Sequence, residues 1–265
     1  MVMQPVPSVL ALSGLDPSGG AGILADTEAI LSQGCHTCPV ITTLTVQDTR
    51  QVTRTEPVEA LLLVEQARAV LEDIPVRAIK IGLLGSVAQV EAIHTLLTDY
   101  PALPVVLDPV LAAGNGDPLV EEAVREALQL LLLPQVTVLT PNTPEARRLA
   151  PEADSLDACA EELLDRGCEF VLITGSHEPG SEVVNRLYGN HRLLEAFRWP
   201  RLEGSYHGSG CTLASAVAGL LAQGKEPMTA IHEAQEYTWQ SLEKGYRLGL
   251  GQQIPNRLFW ALDEP

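Results

Sequence analysis

The sequence predicts an α/β fold with three layers, in which a mainly parallel β-sheet lies between two layers of helices. Three observations predict it. Short apolar runs of strand length alternate with amphipathic stretches of helix length along most of the chain. The apolar runs are nearly continuous, which is typical of strands that are covered on both faces. Hydrophobic residues make up 46% of the chain and aromatic residues only 4%, so the core must be largely aliphatic.

The first strand, VLALSG, leads into a glycine-rich turn and an amphipathic helix, and this strand–helix unit then recurs. Strands that alternate with helices pair in parallel, because each helix carries the chain back to the starting edge of the sheet. The predicted strands are 9–14, 39–47, 78–84, 104–110, 136–142 and 170–176. The helices predicted between them are 21–33, 57–73, 87–99, 119–132 and 156–166.

The stretch NRLYGNHRLLEAF interrupts this alternation. Two strand-like runs flank Gly189 and Asn190, a pair that is typical of hairpin turns, so we expect an antiparallel hairpin at one edge of the sheet. Beyond it, apolar residues at helical spacing predict a helix that begins near Leu213 and ends near Gly224. A last helix is predicted over 228–247.

Composition narrows the possible functions. The net charge of −17 argues against nucleic acid and acidic membranes as partners, since both are polyanions. No apolar run approaches the about 20 residues that span a bilayer, and the N-terminus lacks the basic region of a signal peptide. Five cysteines, an odd number in a long chain, predict reduced thiols and a cytoplasmic location. No repeat or linker divides the chain, which predicts one domain over 1–265.

Cys35 and Cys38 form a C-x-x-C pair, a spacing found in redox and metal sites. No second pair completes a zinc site, and a strand begins directly afterwards at Val40. We therefore interpret the two cysteines as structural.

The carboxyl ends of the predicted strands are where an open parallel sheet binds its ligands. DPSGGAG, at 16–22, follows the first strand and precedes the helix that carries Asp26. It lacks the GK[ST] of a P-loop and the spacing of a dinucleotide fingerprint, so alone it indicates a tight turn, a lid or a ligand loop. Asp26 either favours the helix dipole or faces a ligand with hydrogen-bond donors.

Polar residues also follow the later strands. Asn142 and Glu145 are three residues apart at a helix start, which fits either a capping box or a carboxylate that holds Mg²⁺ beside ATP phosphates. Asp108 precedes Pro109 and alone would be an ordinary turn residue. Lys80 lies inside an apolar strand, so we expect it near the strand end or paired with a carboxylate.

The motif GSGC, at 208–211, precedes the predicted helix near Leu213. Its small residues leave backbone N–H groups uncovered at the positive end of the helix, which predicts an anion site, usually for phosphate. The same field should lower the pKa of the Cys211 thiol and make it reactive.

Six motifs follow one another in the order of one known family. They are LSGLDPSGGAGILAD, TTLTVQDT, KIGLLGS, VVLDPV, LTPNTPEA and GSGCTLASAVAGLLAQG. Over about residues 9–245 the chain resembles the hydroxymethylpyrimidine/phosphomethylpyrimidine kinases of thiamin biosynthesis. The resemblance implies a ribokinase-like fold. It also implies two transfers of the ATP γ-phosphoryl, first to 4-amino-5-hydroxymethyl-2-methylpyrimidine and then to its monophosphate.

The resemblance implies a role for each residue of the GSGC motif. Cys211 would take the proton of the hydroxymethyl group, as a general base. The backbone N–H groups that would bind the moving phosphoryl are those of Gly208, Ser209, Gly210 and Cys211.

The resemblance also divides the other polar residues between the two substrates. The pyrimidine would be contacted by Gly14, Asp26 and Gln47. ATP would be bound by Asp108, Asn142 and Thr174, and Glu145 would hold Mg²⁺.

The chain departs from the family pattern at Thr174. The family commonly has KGGH after the sixth strand, whereas this chain reads TGSH, with Thr174 in the position of the lysine. Threonine can donate a hydrogen bond but carries no charge, which weakens the expected phosphate clamp and the second phosphorylation. His177, Lys80 and a second metal ion are candidate substitutes.

Two other functions share parts of this pattern. Pyridoxal kinases have the same fold, and some resemble this family down to the cysteine, although Gln47 and DPSGGAG favour the pyrimidine. A non-catalytic pyrimidine or nucleotide sensor would leave Cys211 and Glu145 without chemistry. The resemblance also implies a homodimer, for which the hairpin at 186–196 is the candidate surface.

Overall fold

The computed structural model describes residues 6–114 and 116–261. Its strands, in chain order, are β1 (Ser8–Leu15), β2 (His36–Gln47), β3 (Val52–Pro57), β4 (Val76–Ile81), β5 (Val105–Leu107), β6 (Val138–Leu139), β7 (Phe170–Ile173), β8 (Glu182–Gly189) and β9 (Arg192–Pro200). Its α-helices are α1 (Gly22–Ser32), α2 (Ala60–Asp73), α3 (Val87–Asp99), α4 (Glu122–Ala127), α5 (Thr143–Leu149), α6 (Leu156–Asp165), α7 (Ser209–Ala222) and α8 (Pro227–Glu243).

The strands form a single sheet in the order β3-β2-β1-β4-β5-β6-β7-β8-β9. The six strands β2, β1, β4, β5, β6 and β7 are parallel to one another. At one edge β3 pairs antiparallel with β2, and at the other β8 pairs antiparallel with both β7 and β9. The predicted three-layer α/β fold with an antiparallel edge hairpin is therefore confirmed.

The two faces of the sheet bury two aliphatic cores. In β1, Leu10 and Leu12 face the core beneath α2 to α6, while Val9 and Ala11 face the core beneath α1, α7 and α8. Successive side chains of a strand point to opposite faces, which is why a strand buried on both sides is apolar throughout. Cys35 and Cys38 separate in the same way, one into each core, and both are free and buried, which confirms the structural interpretation.

The parallel strands are shorter than the apolar runs that predicted them. β6 contains only Val138 and Leu139, where the sequence predicts a strand over 136–142. Thr140 still bonds to Leu107 O, but Pro141 has no N–H for a ladder, and the chain turns there into α5.

Two predicted helices end earlier than the sequence indicates, and strand β3 is not predicted at all. The helix predicted over 119–132 is α4 followed by a π turn at 128–132 and a 3₁₀ turn that contains Pro134. The last helix ends at Glu243 rather than at 247. Strand β3 has the polar sequence VTRTEP and is mostly exposed, so no apolar pattern indicates it.

The hairpin of β8 and β9 turns through Asn190 and His191, whose φ angles are 50° and 54°. Positive φ at both central residues is the geometry of a type I′ turn, which matches the twist of the strands. The predicted hairpin is confirmed, with its turn one residue later than Gly189–Asn190.

A buried ion pair that the sequence partly predicts joins β4 to α1. Lys80 Nζ on β4 donates to Asp26 Oδ1 on α1 at 2.8 Å, and neither side chain is exposed. Ser215 Oγ on α7 donates to the same oxygen at 2.7 Å. The expected pairing of Lys80 with a carboxylate is confirmed, and the pair joins the sheet to the two helices above it.

We expect Lys80→Met to lower the free energy of unfolding by about 3–5 kcal/mol, because it leaves the Asp26 carboxylate buried without a cation. Urea unfolding of the wild type and the variant measures this loss. The matched control is Lys80→Met combined with Asp26→Leu, which should recover a large part of the loss because the uncompensated charge is gone. A Lys80→Met protein as stable as the wild type would contradict this account of the interior.

Candidate active site

A cavity of about 730 Å³ lies at the carboxyl edge of the parallel sheet. The ends of β1, β2, β5, β6 and β7 line one side, and the N-terminus of α7 lines the other. Each predicted site residue except Asp26 lines this cavity. They are Gly14, Gln47, Asp108, Asn142, Glu145, Thr174, Gly208, Ser209, Gly210 and Cys211.

The anion loop (residues 208–211) begins α7 in the manner that the sequence predicts. Gly208 caps the helix in the left-handed conformation, with φ 79°. A Cβ at Gly208 would lie 2.0 Å from the carbonyl oxygen of Gly20, so no other residue fits there. Because glycine has no side chain to cap the helix, the first N–H groups of α7 remain available to an anion.

The glycine-rich loop (residues 16–22) packs against the anion loop and is folded around Asp16. The Asp16 carboxylate accepts from the backbone N–H of Ser18 at 2.8 Å and of Ala21 at 2.9 Å. His207 Nε2 donates to it from across the cavity wall, at 2.7 Å. Burial opposes ionisation, but the hydrogen bonds from His207 and Ser18 outweigh it and hold the pKa of Asp16 below its usual value.

Asp16 and His207 were not predicted as site residues. Asp16 is inside the DPSGGAG motif, and His207 directly precedes the anion loop. Their positions next to two predicted ligand loops are the sequence feature that indicates a place in the site. Their contact spans 191 positions of the chain, and no local pattern shows it.

One end of the cavity carries Gln47 and the backbone of Gly14. The amide oxygen of Gln47 accepts from Thr45 Oγ1 at 3.2 Å. Its side-chain nitrogen lies 2.9 Å from His207 Nε2, which cannot accept a hydrogen bond from it while it donates to Asp16. The Gln47 amide is therefore held in place at the cavity wall. An amide offers both a donor and an acceptor, which suits the ring nitrogen and exocyclic amine of an aminopyrimidine.

Asp26 is not on the cavity wall, contrary to the prediction that it contacts the pyrimidine. Its side chain is fully buried, and Oδ1 is occupied by Lys80 and Ser215. Its position on α1 turns the side chain inward, toward Lys80. Its contribution to the site is the charge that it balances on Lys80.

Cys211 lies beside Asp108 in the part of the cavity nearest α7. Burial raises the pKa of the Cys211 thiol to about 12, although the charge of Lys80 and the N–H of Gly22 favour the thiolate. The Asp108 and Asp26 carboxylates raise it further. The prediction that the helix field lowers the pKa of Cys211 is wrong, because burial and the two carboxylates outweigh that field.

Asp108 and Glu145 are two buried carboxyl groups that line the cavity, and Asp108 lies beside the anion loop, since a Cβ on Gly210 would be 3.7 Å from its Oδ1. Burial raises the pKa of Asp108 to about 6 and that of Glu145 to about 8, and each group's negative charge would oppose ionisation of its neighbours. Asn142 and Glu145 also form the predicted capping box, with both bonds at 2.9 Å. Asp108 Oδ2 is buried and has no hydrogen-bond partner.

This carboxyl pair fits a magnesium ion that is shared with a nucleotide. Among the described residues, no three His, Cys, Asp or Glu side chains form an all-protein metal cage. Mg²⁺ in kinases needs no such cage, since one or two carboxylates and the substrate phosphates bind it. The unpartnered oxygen of Asp108 and the raised pKa of both groups are what a cation there would relieve.

Thr174 lines the cavity, and its backbone N–H donates to Pro141 O at 2.9 Å. Lys80 does not replace the family lysine, because it is buried and paired with Asp26. His177 and Arg148 are the exposed basic residues that line this part of the cavity. Arg201 also lines it, but its guanidinium donates to the carbonyls of the 176–182 loop.

The fold and this edge of the sheet are those of the ribokinase-like small-molecule kinases. The chain belongs to the phosphomethylpyrimidine kinase family, whose model matches residues 16–256. It is 38% identical over 265 residues to the hydroxymethylpyrimidine/phosphomethylpyrimidine kinase of Streptomyces coelicolor, covering 97% of this chain and 96% of that protein.

Two solved structures are similar to the whole fold. The phosphomethylpyrimidine kinase of Clostridium difficile has a TM-score of 0.77 at 33% identity, covering 90% of this chain and all of that one. The pyridoxal kinase of Bacillus subtilis, solved with ADP, has a TM-score of 0.88 at 26% identity, covering 98% and 100%. The chain spans about half (54%) of the bifunctional thiamine biosynthesis protein ThiED of Geobacter sulfurreducens, to which it is 36% identical.

A membrane-crossing helix is absent from residues 6–114 and 116–261, since none there combines the necessary length and hydropathy.

We expect Gly208→Ala to reduce ATP-dependent turnover by about 10²-fold or more, because the new Cβ forces the anion loop away from Gly20 and misplaces its N–H donors. The matched control is Gly224→Ala. Gly224 also has a positive φ, 87°, but a Cβ there meets nothing within 4 Å. It should lose about 1 kcal/mol of stability and no activity. Steady-state rates and thermal unfolding of both variants test this, and equal activity of the two would refute it.

We expect Cys211 to react with iodoacetamide at pH 7.5 about 10²–10³-fold more slowly than an exposed cysteine of ordinary pKa, because the thiol stays protonated. The rate should keep rising about tenfold per pH unit up to pH 10. Mass spectrometry of the labelled peptide measures it, with Cys211→Ser as the control for the other four cysteines, which are buried. A rate that levels off below pH 8 would mean that the thiolate already forms at neutral pH.

Proposed function

We propose that this protein transfers the γ-phosphoryl of ATP to 4-amino-5-hydroxymethyl-2-methylpyrimidine, and a second phosphoryl to the monophosphate, as a step of thiamin biosynthesis. One observation carries the proposal. One cavity is lined by the anion loop, by the carboxyl groups of Asp108 and Glu145, which suit Mg²⁺, and by the Gln47 amide. Family membership supports the same substrates. Phosphoryl transfer is achieved mainly by positioning and by neutralising charge, and the cavity offers both.

The anion loop would bind the phosphoryl group during transfer. The N–H groups of Ser209, Gly210 and Cys211 are fixed by the helix that follows, so they need no rearrangement when charge moves onto the phosphoryl oxygens. The positive end of α7 adds to this field.

Gln47 and Gly14 would orient the pyrimidine so that its hydroxymethyl group lies next to Cys211. We propose that the Cys211 thiol first loses its own proton to solvent and that the thiolate Sγ then takes the hydroxyl proton. The hydroxyl oxygen forms a bond to the γ-phosphorus as the bond from that phosphorus to the β,γ-bridging oxygen breaks, and ADP leaves. The charge of Lys80 and the Gly22 N–H favour the thiolate, whereas the Asp108 carboxylate disfavours it. Neutralising Asp108 therefore favours the base form of Cys211.

Asp108 and Glu145 would hold Mg²⁺ together with the ATP phosphates. When bound, the ion would supply positive charge that offsets the charge of the phosphates. Asn142 and Thr174 would line the nucleotide side of the cavity.

We also propose a cytoplasmic location and a homodimer. The free thiols of all five cysteines support the first. For the second, the hairpin at 186–196 exposes Leu193 at the edge of the sheet.

Pyridoxal is the second candidate substrate, because a pyridoxal kinase shares the fold at a TM-score of 0.88. Pyridoxal also carries a hydroxymethyl group on an aromatic nitrogen ring. The family match and the Gln47 amide, which is held by Thr45, favour the pyrimidine.

The test incubates the protein with ATP, Mg²⁺ and either hydroxymethylpyrimidine or pyridoxal, and follows products by mass spectrometry. We expect the pyrimidine monophosphate and then the diphosphate, with Cys211→Ala slower by about 10²–10⁴-fold. If the monophosphate is the only product, the proposed second phosphorylation is refuted, and we would attribute its absence to Thr174 in the position of the family lysine. Pyridoxal phosphate as the main product would replace the proposed substrate. If the protein binds nucleotide but forms no product, the proposed kinase activity is refuted in favour of a non-catalytic sensor.

A further inference from the structure

Arg257 has one of the largest side chains that are completely buried in the described residues, and none of the roles above uses it. It lies outside the helices and strands, in the segment after α8, and just beyond residues 16–256 that match the family model. A guanidinium in the interior carries a large desolvation cost, so its partners indicate what it does.

The guanidinium binds three separate elements. Nε donates to Thr212 Oγ1 on α7 at 2.8 Å, and Nη1 donates to Glu28 Oε2 on α1 at 3.0 Å. Nη2 donates to the carbonyl oxygen of Gly20 in the glycine-rich loop. Arg257 thus connects the glycine-rich loop to the helix that carries the anion loop.

These partners lie directly behind the anion loop. Thr212 follows Cys211, and its hydroxyl donates to the carbonyl of Gly208 at 2.8 Å while it accepts from Arg257. Gly20 O is the atom that a Cβ on Gly208 would strike, and the same Cβ would lie 2.8 Å from Arg257 Nη2. The guanidinium therefore binds both sides of the contact between the two loops.

The charge of Arg257 is only partly balanced. Its side chain is fully buried, whereas that of Glu28 is 40% exposed and partly screened by water. The positive charge behind the N-terminus of α7 adds to the helix dipole at the place where an anion would bind.

The backbone of Arg257 is anchored independently of its guanidinium. Its carbonyl accepts from Ser32 Oγ at 2.6 Å and from Tyr237 OH at 2.8 Å. Asn256 N–H donates to Ser241 O at 2.9 Å. Loss of one anchor disturbs the segment without removing the side-chain contacts, which provides a matched control.

We propose that Arg257 is a positioning residue for phosphoryl transfer: it sets the separation between the glycine-rich loop and the anion loop and strengthens anion binding there. The inference rests on the proposed kinase function. It adds a residue that touches neither substrate and acts through Gly20 and Thr212.

The test compares Arg257→Met, Arg257→Lys and Tyr237→Phe, each assayed at a temperature where thermal unfolding shows it to be folded. Titration calorimetry with the β,γ-imido analogue of ATP gives nucleotide affinity, and steady-state rates give kcat and KM. For Arg257→Met we expect about tenfold weaker nucleotide binding and an about 10²-fold lower kcat. KM for the pyrimidine should change little, because Gln47 and Gly14 are not in contact with Arg257.

The conservative variant separates charge from geometry. Arg257→Lys should restore most of the nucleotide affinity, since it keeps the charge, but not kcat, because one ammonium cannot bind Gly20, Thr212 and Glu28 in the planar arrangement of a guanidinium. Tyr237→Phe should lower thermal stability and leave kcat and affinity unchanged. If Arg257→Met is less stable but has the same kcat and the same nucleotide affinity as Tyr237→Phe, the proposal is overturned.

Two further outcomes are also decisive. If Arg257→Met does not fold, Arg257→Lys carries the test, and a wild-type kcat in that variant overturns the proposal. If the wild-type protein forms no product from either substrate, the kinase proposal fails on its own. Nucleotide affinity then tests Arg257, and an unchanged dissociation constant in Arg257→Met overturns its role.

Discussion

The backbone of Gly208 lies against the carbonyl of Gly20 so closely that no side chain fits between them. The rest of the site depends on this contact. This contact needs a residue with left-handed backbone conformation at Gly208 and a loop that brings Gly20 against it. It also needs a donor for the buried carbonyl oxygen of Gly20, which Arg257 provides. Asp16 and His207 hold the two loops together from the cavity side, and Arg257 does so from the interior. The anion loop is therefore fixed by the packing of two loops from distant parts of the chain.

Charge is distributed unevenly around this contact. The chain carries a net charge of −17, yet two of the substrates that we propose, ATP and the pyrimidine monophosphate, are anions. The protein resolves the conflict locally, because the N-terminus of α7, Lys80 and Arg257 are close to the anion loop. Two of the carboxyl groups that line the cavity, Asp108 and Glu145, have pKa values raised to about 6 and about 8, so they hold their protons more readily than exposed acids do. Burial thus reduces the negative charge of the cavity where a surface of the same composition would repel phosphate.

The sequence was sufficient for the features that depend on local patterns. Strand and helix alternation predicted the layers, the GSGC motif predicted the anion loop, and the Asn142–Glu145 spacing predicted the capping box. Features that depend on distant contacts were missed. β3 is polar because it is an exposed edge, and Asp26 faces inward because Lys80 lies there.

The thiol of Cys211 shows why motif reading alone misjudges chemistry. The helix terminus favours the thiolate, but the burial and the carboxylates that oppose it come from other elements. The role of Arg257 likewise cannot be predicted from the sequence, since its partners Glu28 and Gly20 precede it by 229 and 237 positions.

The central claim is that the backbone N–H groups of the anion loop bind the phosphates of the nucleotide. The most direct measurement is the change in backbone amide resonances of ¹⁵N-labelled protein when the β,γ-imido analogue of ATP is added with Mg²⁺. The account predicts large downfield shifts for Ser209, Gly210 and Cys211, with Gly189 and Gly224 unmoved. Shifts confined to other parts of the cavity, with the three anion-loop amides unchanged, would contradict it.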